Sequence, residues 1–187
     1  MQALVDYGPR YARVVGRSRL GFAAPKNVKA FKVVQRIKGD ASTEFGVPGT
    51  PPEYDDGDVS DTELKRLQSI LRACWRAFDE ALEAAHGKTL AKGPRGGGRD
   101  ADKILEHVRD AEGGYLRAVG ATLPPGPTGD ALERTRNAVL EAVVAAAHGE
   151  LPSEGPRGGK RWSARYFTRR TVWHALDHAW EIEDRTP

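Results

Sequence analysis

Hydrophobic positions along this chain fall into four long helical stripes, preceded by a less regular stretch. The first stripe opens on sharp punctuation. Ser60 and Glu63 have capping-box spacing, and Val59 can staple to Leu64. Leu64, Leu67, Leu71, Cys74, Phe78 and Leu82 then recur on one face, widened by Ile70, Trp75 and Ala81. His86-Gly87 ends the run, with the glycine as C-terminal cap. A second helix is predicted from Asp100 to Val119, with Ile104, Val108, Ala111, Tyr115 and Val119 inward. A third is predicted from Asp130 to His148, capped by Asp130 and Glu133, with Leu132, Val139, Val143 and Ala146 inward. The fourth, SARYFTRRTVWHALDHAWEIEDR, runs from Ser163 to Arg185, with Trp162 placed to staple against Phe167. Tyr166, Trp173, Leu176 and Trp180 line one flank of it, Val172 and Ala179 the other. A helix apolar on both flanks is expected to be buried, so its polar stripe should point into the protein.

Upstream, Leu4, Tyr7, Tyr11 and Val14 predict a short helix over Ala3 to Val15, against the influence of Pro9. Ala30 to Lys38 alternates, with Phe31, Val33 and Ile37 opposite Lys32, Arg36 and Lys38, and predicts a strand. A lone strand lacks a ladder partner and must be covered or paired. Gly, Pro, Asp and Ser then dominate residues 39–58, an irregular connection. The expected organisation is an N-terminal α/β appendage over 1–58 and a helical domain over 59–187.

Two segments repeat. AAHGKTLAKGPRGGGR begins at Ala84 and AAHGELPSEGPRGGKR at Ala146, 62 residues later. This predicts two copies of one helical hairpin, first helix with second and third with fourth, burying each other's stripes as a four-helix bundle. It also predicts that both GPRGG loops lie at one end of the bundle, near the histidines described below.

Composition narrows the function classes. With 29 basic and 26 acidic side chains the net charge is +3, too small and too evenly spread for a nucleic-acid or anionic-membrane surface. One cysteine, Cys74, excludes an internal disulfide and suits a reducing, cytoplasmic setting. No apolar run approaches the roughly 18 residues of a membrane span, and the first residues lack a signal-peptide pattern.

The candidate chemistry is on the last helix. His174 and His178 are four residues apart, which puts both imidazoles on one face, one turn apart. The same spacing also occurs in surface pairs and in hydrogen-bonded core pairs. His107, beside the stripe of the second helix, comes to a comparable height if the hairpins pack with two-fold symmetry, and would supply a third ligand. Glu181, on the histidine face, is a candidate general base or outer hydrogen-bond partner, or else the ion partner of Arg170 or Arg185. Arg95 and Arg157 in the GPRGG loops are candidates for holding a substrate or cofactor carboxylate, and Arg170 on the histidine face is a further candidate substrate-binding residue. Solvated loops are the plainer reading of the first two. Asp177 reads as an outer or solvated group. Cys74, on its apolar stripe, reads as core, and His86 and His148 read as helix-terminal cations.

One histidine in the second helix (ILEHVRDAE) and His-x-x-x-His in the fourth (RYFTRRTVWHALDHAWEIEDR) together resemble the DinB-like (DinB/YfiT) family of metalloenzymes, over about Ser60 to Arg185. The resemblance implies a four-helix bundle of up-down-down-up topology, with zinc, nickel or a similar divalent ion on His107, His174 and His178. It implies a small-molecule substrate and activation of water or a low-molecular-weight thiol, as in thiol S-transferases and a mycothiol-dependent isomerase. A homodimer is one assembly it allows. AFKVVQRIKGDASTEFGVPG is similar to the end of a HicB-like segment that precedes the bundle in some relatives. The competing function is a non-catalytic metal-binding or protein-interaction bundle, stress-linked, whose ion only steadies the fold.

Overall fold

Three of the four long helices begin at a side chain that accepts a first-turn amide. Ser60 Oγ accepts from Glu63 N at 3.3 Å, Asp100 Oδ1 from Lys103 N at 2.9 Å and Ser163 Oγ from Tyr166 N at 3.3 Å. A computed structural model of the chain describes residues 1–18, 20–44, 47, 49–93 and 98–187. It divides into two compact units, Met1–Gly57 and Asp58–Pro187. It is mainly helical, with six α-helices and no strand among the described residues.

In the first unit α1 spans Gln2–Gly16 and passes through Pro9, which removes one ladder donor without ending the helix. Gly8 lies so close to Pro25 that a Cβ there would meet the proline Cδ at 2.8 Å. Tyr11 and Phe22 meet edge to face at 4.8 Å. The strand expected over Ala30 to Lys38 does not form: a 3-10 turn takes Val28–Ala30 and residues 31–40 pair with no ladder. The alternating pattern was genuine, but among the described residues no second strand is present to satisfy the backbone, and Val33, Val34 and Ile37 stay exposed. A single-turn helix, α2, occupies Ala41–Glu44 where an irregular connection was expected. Asp40 caps it by accepting from Ser42 N and Thr43 N.

The second unit holds α3 (Asp61–Ala85), α4 (Ala101–Val119), α5 (Ala131–Ala147) and α6 (Ala164–Arg185). The expected starts and stops hold to within a residue or two. Asp130 is the exception: it closes a 3-10 turn and its side chain caps nothing. Glu63 does not complete the capping box either, because its carboxylate goes to Arg165, at 2.6 and 2.8 Å. The repeat is visible at the helix ends, where Gly87 and Gly149 turn the chain at φ +71° and +70°, the left-handed region that favours glycine.

Helix pairing departs from the expected hairpins. α3 packs most extensively on α6 and least on its chain neighbour α4, while α4 packs on α5 and α6. Two apolar clusters result. Leu71, Trp75, Leu116, Val139, Val143, Phe167 and Ala175 form one; Phe78, Ile104, Val108, Ala179 and Ile182 form the other. Each fully buried Leu, Ile or Phe contributes about 1.5–3 kcal/mol by leaving water. On α6 the first cluster ends at Ala175 and the second begins at Ala179, so His174 and His178 stand at the seam.

The inward stripe of α4 also differs from expectation: Glu112 and Leu116 are buried, whereas Ala111 and Tyr115 are half-buried. Glu112 is 1% exposed; its Oε1 accepts from Trp75 Nε1 at 2.7 Å and its Oε2 has no partner. Burial pushes its carboxyl up to about 7, with the Trp75 hydrogen bond and Arg136 pulling partly back. The folded state therefore keeps a proton that the unfolded chain releases near 4.5. The contribution is fully present below that value and is lost as pH rises through about 7. Glu112→Gln, which keeps an acceptor for Trp75, is expected to match the wild type in urea unfolding at acidic pH. Above neutrality it should be more stable, by up to about 3 kcal/mol.

Candidate metal centre

α6 buries seven polar or charged residues along its length: Arg165, Thr168, Arg170, Thr171, His174, His178 and Arg185. Buried polar groups cost free energy unless partnered. The ends are partnered by arginine. Arg165 holds the Glu63 carboxylate and donates to the Asp58 carbonyl at 2.5 Å. Arg185 donates to the Ala91 and Arg99 carbonyls at 2.7 and 2.8 Å and to Glu181 Oε1 at 2.5 Å. These bonds fix the axial position of α6 against the start of α3 and the segment that enters α4.

Between those ends the imidazoles of His107, His174 and His178 converge. One ring nitrogen from each falls within 4.8 Å of the others. His107 Nε2 and His174 Nε2 are 3.2 Å apart, and the three ring centroids are separated by 4.6 to 5.0 Å. His178 Nδ1 donates to Glu181 Oε2 at 2.7 Å. That bond fixes the tautomer and leaves the Nε2 lone pair facing the cluster. Glu181 thus engages His178 with one oxygen and Arg185 with the other, so its ion partner is Arg185 rather than Arg170.

The donor set fits a divalent ion. Nitrogens about 2.0–2.1 Å from one tetrahedral ion lie roughly 3.3 Å apart, close to the observed Nε2 separation. The protonation states also fit. Burial drives His174 down to about 3, helped by the neighbouring histidines and Arg170, and burial with Arg99 lowers His107. Neutral imidazoles are what metal coordination requires. His107 is half-exposed and His174 and His178 are buried, so the cluster opens to solvent on its α4 side.

Tyr115 and Trp173 flank the cluster, with ring centroids 5.8 and 6.0 Å from His174. The sequence reading placed Tyr115 on an apolar stripe and gave it no part here. Its position eight residues after His107, two turns along the same helix, was the available signal. Glu112 was missed as well, because a lone Glu on a helix reads as a solvated face.

Of the arginines, Arg95 lies outside the described residues. Arg157 is exposed in a tight loop bridged by Glu154 and Lys160. That loop is tied to the C-terminal end of α4, where Arg161 donates to the Arg117 carbonyl and Trp162 N to the Ala118 carbonyl. The chain enters α4 through Gly98 and Arg99, and the expected position of the other GPRGG loop falls on residues 94–97, outside the described residues. The Arg157 loop therefore sits at the C-terminal end of α4, roughly 18 Å along the helix from the level of His107 and not near the histidines. The weak α3–α4 contact departs from the two-fold hairpin packing that the 62-residue offset predicted. Arg170 alone lies beside the histidines. Asp177 is exposed, as are His86 and His148. Cys74 is fully buried, and burial pushes its thiol up to about 12, so it is core.

The chain matches no family model, no curated protein and no solved structure. The geometry of the three imidazoles therefore carries the functional reading.

His174 supplies a pH test on the metal-free chain. Its folded-state value is depressed, so its contribution is present above about 6.5 and is lost as pH falls toward about 3. Comparison with His174→Gln cancels other titrating groups. Between about pH 7.5 and pH 5 the wild type should lose about 2 kcal/mol more than the variant in urea unfolding.

Proposed function

We propose that this chain is a divalent-metal-dependent enzyme of the DinB-like kind, in which His107, His174 and His178 hold zinc, nickel or a similar ion. The reaction class is transfer to or from a thiol, or hydrolysis, on a small-molecule substrate. The observation that carries this reading is the convergence of three imidazole nitrogens, from two helices, within 4.8 Å. A shared proton could bridge only two of them, whereas one ion takes all three. Three neutral ligands leave a coordination position open, and an ion so held lowers the pKa of a water or thiol placed there.

The protein's own groups do the rest. Glu181, steadied by Arg185, fixes the ring and tautomer of His178, so its role here is to position a ligand rather than to take a proton from substrate. Burial keeps His174 unprotonated across the physiological range. Tyr115 and Trp173 lie against the His174 ring and wall the cluster there.

The fold belongs to the same proposal: an up-down-down-up four-helix bundle over Asp58–Pro187. The pair Glu63–Arg165 joins the starts of α3 and α6, and Arg185 meets Ala91, just past the end of α3, which fits two parallel helices. Arg185 to Arg99 and Trp162 to Ala118 fit an antiparallel α4. No described helix is long and apolar enough to cross a membrane. A cytoplasmic, reducing setting is the one proposed, since the single cysteine is buried in the core.

Metal analysis of purified protein is expected to give close to one Zn(II) or Ni(II) per chain, lost in His107→Ala, His174→Ala and His178→Ala. Glu181→Gln should weaken binding by about 10–100-fold. A wild type that binds either ion no better than His174→Ala overturns the reading. With Co(II) in the site, a visible spectrum that shifts on adding a thiol or azide marks an open coordination position. A spectrum indifferent to both marks a closed, structural ion.

A further inference from the structure

Arg170 precedes His174 by one helical turn, on the same face of α6. It is 8% exposed, and an arginine cannot shed its charge on burial. Its guanidinium lies over two aromatic faces, with Cζ 5.3 Å from the Tyr115 centroid and 4.9 Å from that of Trp173. Nη2 makes one long contact, 3.4 Å, to the Tyr115 hydroxyl, and Nη1 has no hydrogen-bond partner. Among the described residues no carboxylate pairs with it. The other buried arginines of the helix are treated differently, since Arg165 has Glu63 and Arg185 has Glu181. Aromatic faces return only part of what a buried cation loses on leaving water.

The remaining deficit is specific in kind and place. The missing partner is an acceptor, preferably anionic, because a charge-assisted bond is what a buried guanidinium lacks. It belongs one turn, roughly 5 Å, from the imidazole cluster. The His174 ring, the Tyr115 ring and the guanidinium form one contiguous wall.

We propose that Arg170 is an anion subsite that seats the carboxylate of a small substrate or thiol co-substrate, between Tyr115 and Trp173, beside the three histidines. The carboxylate seat stands on the arginine's own surroundings; its pairing with a thiol end directed at the histidines rests on the metal reading above. A ligand of this class is short: its carboxylate and its reacting group are separated by about one helical turn.

Two arms test this on the full chain. In the metal-free protein, acetate is titrated while tryptophan emission is followed, with Trp173 against the guanidinium as reporter. A saturable change, absent in Arg170→Gln and in Trp173→Phe, is expected; a wild type with no saturable response overturns the seat. In Co(II)-loaded protein, 3-mercaptopropionate is compared with 2-mercaptoethanol by the near-ultraviolet sulfur-to-cobalt absorption. The carboxylated thiol should bind about tenfold tighter, the scale of one charge-assisted bond. That preference should vanish in Arg170→Gln and survive in part in Arg170→Lys, which keeps the cation and guards against loss of fold. Equal affinities in the wild type, or a preference that persists in Arg170→Gln, overturn the assignment. Failure of Co(II) to bind at all would remove the metal reading and leave the acetate arm to decide the seat.

Discussion

Desolvation of polar groups along one helix is the constraint on which this structure depends. α6 is wedged between α3, α4 and α5, yet its buried residues include three arginines, two threonines and two histidines. An apolar helix in that position would need only complementary packing. This one needs a hydrogen-bond acceptor, donor or counter-charge for each polar atom it removes from water. The rest of the unit supplies them. Glu63 gives up its place in a capping box to take Arg165, and the segments entering and leaving the helix pairs offer the carbonyls of Asp58, Ala91 and Arg99. Thr171 turns back to the Phe167 carbonyl at 2.9 Å.

What is left unsatisfied is concentrated. Thr168 Oγ1, Arg170 Nη1 and His174 Nδ1 are the buried side-chain atoms of α6 without a partner, and they occupy less than two turns of helix. Protein interiors tolerate few such atoms, so this stretch is the least satisfied part of the helix. The two clamped ends give that place its rigidity. With Arg165 and Arg185 held at opposite ends by charge-assisted bonds, the imidazoles between them have little freedom to slide or turn. His178 is further fixed through Glu181, so protein groups alone hold the cluster in place.

Much of this was legible in the residues. Helix boundaries followed from caps and stops because capping is local chemistry: Ser60, Asp100 and Ser163 meet amides three residues away, and Gly87 and Gly149 adopt the left-handed turn that glycine permits. The i, i+4 pairing of His174 with His178 was legible for the same reason, since helical geometry alone puts them on one face. The strand over Ala30 to Lys38 was misread because alternation states which side a residue would face in a sheet, and cannot supply the partner strand that makes a sheet. The two-fold hairpin packing expected from the repeat failed similarly. A repeat in the text fixes equivalence along the chain, but not which helices touch.

The sequence by itself determined the four long helices, their bounds to within a residue or two and the shared face of His174 and His178, because those depend on interactions within about four residues. Tertiary structure alone decided that α3 seats on α6, that His107 arrives 3.2 Å from His174, that Glu63 serves Arg165 and Glu181 serves Arg185, and that Arg170 is left without a counter-charge. Those outcomes turn on which desolvated groups compete for the same few partners. That competition is settled only when separate helices are brought to packing distance, where a polar atom either finds a partner or is buried without one.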